Sequence, residues 1–259
     1  MDAFISDHLL PLIDLNDLRP LGRLLILGGI VLGLWLGLQR TALDARTRLL
    51  TWLAVIVPLL AWYLAIWQFA RTGGFQTLVT VGGGIRVPLT PIAIFLPLLI
   101  ALPILLRSQR IAAVLDATSP AWLVGFQVYR ELGYVFLVRW AAGELPGAFA
   151  LPAGTGDVLL ALPAALYLQS GARGGRAAAY GWNLLGILDL AIAITMGALT
   201  STGRLPGAVA NTATTTFPLV MIPAFAVPLS LILHGVSLRQ LARGGRREPG
   251  LLAAATPST

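Results

Sequence analysis

Residues 125–140, GFQVYRELGYVFLVRW, carry Gln127, Arg130, Glu131 and Tyr134 inside an otherwise apolar run. Their spacing of i, i+3, i+4 and i+7 puts all four on one face of an α-helix. An arginine there offers a permanent charge and a planar fork of donors that suits a carboxylate or a phosphate. A neighbouring carboxylate serves as counter-ion or proton carrier, or as general base on a lipid-soluble substrate. Asp157 in GTGDV, Asn183 and Asp189 lie further along the chain. Together with the first four they make the candidate ligand-binding set. Arg130 is expected to pair with Asp189, with Glu131 or with both. Asp157 is a candidate partner for Arg139.

Each of these residues also has a purely structural reading. Arg130, Glu131 and Asp189 suit an ion network that ties helices together. Asp157 suits the first turn of a helix, where the dipole favours a negative charge. Asn183 suits an interhelical hydrogen bond, and His234 an interfacial position near a helix end.

The elements that hold these residues follow from composition. The chain has 259 residues, 57% of them hydrophobic and 11% charged, where soluble domains carry about 25% charged residues. Its apolar runs are about as long as a bilayer-crossing helix. Seven spans result, at about 21–38, 49–69, 89–106, 120–142, 154–169, 177–199 and 217–238. The fold class is an all-α polytopic membrane bundle forming a single domain over 1–259. Residues 1–19 read as an interfacial amphipathic segment and 243–259 as a flexible cytoplasmic tail. The acidic start of the chain does not resemble a cleavable signal.

Arginine sets the orientation. Eleven arginines fall in the loops on one side of the spans and five in those on the other. The positive-inside rule puts the N-terminus outside and the C-terminus in the cytoplasm, in a membrane of the bacterial inner type. Trp52, Trp122 and Trp182, with Trp67 and Trp140 at the opposite ends, read as interfacial anchors. The net charge of +7 is explained by these loop arginines, and no basic module points to nucleic acid.

On this topology Arg130 lies about 15 Å into its span, near the bilayer centre. An arginine at that depth costs at least about 2.5–3.5 kcal/mol on insertion scales, so it must face the bundle and find partners.

Missing residue types prune the chemistry. The chain has no cysteine and no lysine, and its two histidines, His8 and His234, are far apart. Disulfides, thiolate nucleophiles and Schiff bases are excluded. Histidine-rich metal sites are not expected. No cofactor is implied, and no HExxH, GxSxG or paired-aspartate motif is present.

Three patterns remain. Gly29, Gly33 and Gly37 form a small-residue face suited to close helix packing, against another span, a second copy or a partner in a membrane complex. FQTLVTV and IRVPL flank three glycines and predict a β-hairpin or ordered cap. LPGA recurs at 145–148 and 205–208, and Pro163 and Pro223 share the same offset of 60. This suggests a repeated helical hairpin with proline-kinked returning helices. LPGAFALPAGTGD, at 145–157, reads as too broken for a regular helix and as a re-entrant or cavity-covering segment.

The leading functional reading is a membrane protein that binds or transports a small anionic or polar molecule at the Arg/Glu/Asp cluster. A structural subunit of a larger membrane complex and an intramembrane enzyme on a lipid-soluble substrate are the alternatives.

Overall fold

Inside a bilayer, apolar runs must satisfy every backbone group internally, and helices do so segment by segment. The computed structural model describes residues 15–81, 85–169, 175–202 and 211–253, and helices dominate it. The order is α1 (Leu15–Gln39), α2 (Ala45–Arg71), β1 (Leu78–Val81), β2 (Ile85–Pro88), α3 (Thr90–Arg107), α4 (Gln109–Ala117) and α5 (Pro120–Gly125). A 3-10 segment (Phe126–Gly133) leads into α6 (Tyr134–Ala141), followed by α7 (Gly147–Gln169) and α8 (Gly175–Ser201). A π-helical turn (Ile222–Ala226) leads into α9 (Val227–Ala253). Residues 1–14, most of the expected interfacial segment and His8 with them, lie outside the described residues.

Among the described residues, five helices are long and apolar enough to cross a membrane, which marks an integral membrane protein. Residues Pro120–Ala141 make a sixth crossing if taken together with Gln109–Ala117, from which they are bent by 98°. In α1 the apolar part is the shorter stretch Ile26–Gln39. Lipid-facing leucines and isoleucines such as Leu99, Leu159 and Leu162 are widely exposed, as expected where the solvent is hydrocarbon.

Local chemistry places the helix ends. Asp44 caps α2 by accepting from the Thr47 backbone N at 3.0 Å and the Thr47 hydroxyl at 2.6 Å. Those bonds hold its carboxyl below the ordinary value. Ser108 and Ser119 cap α4 and α5 in the same manner. Gly143 adopts φ 75° after α6, where the Gly143 and Glu144 amides close the helix on the Trp140 and Arg139 carbonyls. The predicted hairpin is present: β1 and β2 pair antiparallel with Leu78 opposite Pro88 and Val81 opposite Ile85.

Two expectations are corrected here. The 145–157 stretch is not broken: α7 runs unbroken from Gly147 through Pro152 and Pro163. Phe149, Ala150 and Ala153 are buried against Phe136 and Val135, and this packing outweighs the poor helix propensity of Gly and Pro. Trp182 is no interfacial anchor. It is buried and donates its indole N–H to the Leu160 carbonyl at 2.9 Å. The last helix runs to Ala253, into the 243–259 segment.

The small-residue face of α1 is used within the chain. A side chain at Gly29 would collide with the Phe126 ring, and one at Gly37 with Val114 and Thr118, while Gly33 has open space. The elbows at both ends of α4 are held by α9. Arg239 donates to the Leu105 and Ser108 carbonyls at 2.6 and 3.1 Å, and Gln240 to Leu115 and Thr118 at 2.7 and 2.8 Å. All four carbonyls lie at helix ends, where intrahelical partners run out; Ser108 also accepts from the Ala112 amide at 3.1 Å and Leu115 from the Thr118 amide at 3.4 Å.

Truncating Gln240 removes the donor to the Thr118 carbonyl and leaves the Leu115 carbonyl only its long contacts with the Thr118 amide and hydroxyl, at 3.4 and 3.5 Å. Gln240→Ala should cost about 1–3 kcal/mol in equilibrium unfolding in mixed micelles. Arg243→Ala removes only the partly exposed pair with Asp116 and should cost less than about 1 kcal/mol in the same assay. Equal effects would contradict this account of the elbows.

Candidate functional site

The candidate site is built around the helical segment that carries Arg130. Residues 126–133 form a 3-10 helix rather than the expected α-helix. At about three residues per turn, positions i and i+3 stack on one face. Gln127, Arg130 and Gly133 therefore line up. Glu131 and Tyr134 turn about a third of a circle away. Gln127 and Arg130 are buried, whereas Glu131 is exposed. The single four-residue face expected from the sequence is thereby corrected, and so is the expected pairing of Arg130 with Glu131.

Arg130 gathers partners from three helices. Its Nε donates to Asp157 Oδ1 on α7 at 2.8 Å. Nη2 donates to Asp189 on α8 in a close ion pair, the pairing expected from the sequence. Nη1 faces His234 Nε2 on α9 at 3.3 Å. Asp157 thus belongs to Arg130 and not to Arg139, which pairs with Glu144 near the protein surface. Nor does Asp157 sit in a first turn, because α7 begins at Gly147.

His234 is the residue that sequence reasoning placed wrongly. It is fully buried, not interfacial. Asn183 donates its amide to the Ala179 carbonyl at 2.7 Å and to Ser237 at 3.0 Å, so its oxygen turns to His234 Nδ1 at 2.9 Å. That arrangement places the ring proton on Nδ1 and leaves Nε2 bare to accept from Arg130. His234 is therefore neutral here. A signal was available: Ser230, His234 and Ser237 recur at i, i+4 and i+7, one face of α9.

Glycines make the room. A methyl group at Gly133 would strike Asp157, one at Gly156 would strike Asp189, and one at Gly186 would strike His234. Gly186 lies midway between Asn183 and Asp189, which lets the imidazole sit between those two levels.

Above the cluster lies a cavity of about 170 Å³ between the 3-10 segment, the π turn and helices α1, α2 and α7. Its walls are mainly apolar, among them Met221, Ile222 and Phe225. Arg130, Asp157, Tyr129, Tyr134, Tyr63 and Ser230 supply the polar atoms. Tyr129 and Ser230 share a 2.5 Å hydroxyl contact. Of the seven predicted residues, Arg130, Asp157 and Tyr134 reach the cavity. Asp189 and Asn183 stand behind Arg130. Glu131 is outside. Gln127 lies one turn from Arg130, and neither atom of its buried amide has a hydrogen-bond partner among the described residues.

A family model described as Domain of unknown function (DUF8737) matches residues 87–242, more than half of the chain and the whole of the Arg130 cluster. No curated protein and no solved structure matches the chain.

The cluster's charges are unequal, and that makes a prediction. Arg130→Ala leaves two half-buried carboxylates without their counter-ion and should cost about 3–5 kcal/mol of stability. Asp189→Asn leaves Asp157 to neutralise Arg130 and should cost clearly less. Unfolding in mixed micelles reads both, and the reverse order would refute Arg130 as the centre of the cluster.

Proposed function

We propose that this chain, which belongs to the DUF8737 family, binds or transports a small amphiphilic molecule within the membrane. The apolar part of the ligand would fill the cavity, and its polar group would meet Arg130 and Asp157. The observation that supports this most is the meeting of a buried ion cluster with a cavity whose walls are otherwise mainly apolar. Ligand pockets combine a mainly apolar lining with a few converging polar groups. Ionisable residues inside a membrane are functional candidates by default.

The ligand is better read as polar than as anionic. The positive charge of Arg130 is already met by two carboxylates, and an anion would have to displace one of them. The wider arrangement is part of the same reading. Helix α1 would supply a seventh crossing. The arginine bias supports an outer N-terminus and a cytoplasmic C-terminus in a bacterial inner membrane. Prolines in the returning helices α3 and α7 and in the π turn suit the proposed hairpin repeat.

One observation favours a second reading. Three of the guanidinium nitrogens of Arg130 are already engaged, which suits an ion-paired strut in an accessory subunit. The cavity separates the two readings. Ala226 lines it and takes no part in the ion cluster. Ala226→Phe should fill the space and strip any co-purifying small molecule, as read by native mass spectrometry from nanodiscs, while the unfolding midpoint of the ligand-free protein stays near that of wild type. A wild-type protein that carries no small molecule and whose activity in cells is unaffected by Ala226→Phe would favour the strut.

A further inference from the structure

Among the described residues, the charges around the cavity do not balance. Arg130 contributes a positive charge and Asp157 and Asp189 contribute two negative ones. His234 adds none, because its bare Nε2 accepts from Arg130 while Nδ1 is committed to Asn183. Among the described residues, the other titratable groups facing the cavity are the phenols of Tyr63, Tyr129 and Tyr134, none of which can add a positive charge. With both aspartates ionised, the buried group carries a net negative charge. Low-dielectric surroundings penalise that state strongly. The cluster therefore calls for a compensating positive charge, supplied by a proton or by a bound cation.

The geometry says which carboxylate receives it. Asp157 lines the cavity and Asp189 does not. Asp157 Oδ1 is held by Arg130, and Oδ2 lies against Gly133, itself a wall residue of the cavity. The same space presents the rings of Tyr63, Tyr129 and Phe225, and aromatic faces attract cations. Its volume of about 170 Å³ suits a body near the size of one aromatic ring, since a cavity of roughly 150 Å³ holds benzene.

Resting on the reading of this cavity as a ligand site, we propose that its ligand is a small monovalent organic cation with an apolar body, that the charged group sits at Asp157, and that binding releases the proton which otherwise neutralises the cluster. The balance is simple: the carboxylic acid O–H is broken, the proton leaves to solvent, and the cation takes its place beside the carboxylate. Protons and ligand then compete for one site. Affinity must rise with pH wherever the empty site is protonated, by up to about tenfold per pH unit. A protein that crosses the membrane and alternates between those two occupants has the elements of proton-for-cation exchange.

The test uses the full-length protein in nanodiscs and three single-ring probes that differ in charge: benzylammonium, benzyl alcohol and benzoate. Calorimetry is run across neutral pH in two buffers of different protonation enthalpy. The expected result is that benzylammonium binds about tenfold tighter than benzyl alcohol. It should release about one proton per molecule bound, and its affinity should rise with pH. Asp157→Asn should abolish the preference for benzylammonium and the proton release while still binding benzyl alcohol, which also shows that the variant folds. If Asp157→Asn binds no probe, Asp157→Glu decides: restored cation binding with proton release supports the proposal, and its absence overturns it. Tightest binding of benzoate, pH-independent binding of benzylammonium, or an unchanged cation preference in Asp157→Asn would each overturn the cation proposal and leave the cavity a ligand site. Failure of all three probes to bind the wild-type protein would overturn both.

Discussion

A guanidinium cannot be left alone in hydrocarbon, and most of this structure's interior follows from burying one. Arg130 brings α7, α8 and α9 to a single point, because Asp157, Asp189 and His234 come one from each helix. Hydrophobic burial gives membrane helices little reason to choose one neighbour over another, since lipid tails are as apolar as leucine. A buried charge with partners on three helices does give such a reason. It fixes which helices meet and at what height along their axes. The second layer extends the register, as Asn183 orders His234 and is itself ordered by Ala179 and Ser237.

That cluster dictates backbone as well as side-chain structure. A 3-10 segment is an expensive way to cross eight residues, since runs beyond three or four are uncommon. Here it stacks Gln127, Arg130 and Gly133 on one line and so brings Gly133 directly over Asp157. Gly156 and Gly186 give Asp189 and His234 their space in the same way. The charged residues and the glycines opposite them form one unit. A glycine without its charged partner would leave a void, and a charged side chain without its glycine would not fit.

The class of fold was legible because the bilayer imposes it: long apolar runs, arginines at their ends, helices throughout. The Arg130–Asp189 pair was legible from depth alone, as two opposite charges at matching heights in neighbouring spans. The rest failed for identifiable reasons. Counting at 3.6 residues per turn put Glu131 beside Arg130, whereas the tighter 3-10 turn rotates it to the outside. Propensity made 145–157 look broken, whereas burial of Phe149, Ala150 and Ala153 keeps it helical. His234 was set at an interface because it falls near the end of the expected 217–238 span. The Ser230, His234 and Ser237 spacing marks a polar face of α9, but its partners Asn183 and Gly186 lie across the bundle, and that pattern does not name them.

The charge count is where stability and function part. A strut is best served by equal charges, because every uncompensated charge in low dielectric is a cost that tighter packing cannot recover. One arginine between two aspartates, with the histidine held neutral by Asn183, does not meet that standard. Of the two aspartates, Asp157 is the one placed at a cavity wall. The surplus carboxylate therefore sits at the boundary between the ion cluster and open space, where a proton or a cation can reach it without disturbing Asp189 or His234. The arrangement keeps three helices joined through Arg130 whichever occupant is present, which is what a site that exchanges occupants within a membrane has to do.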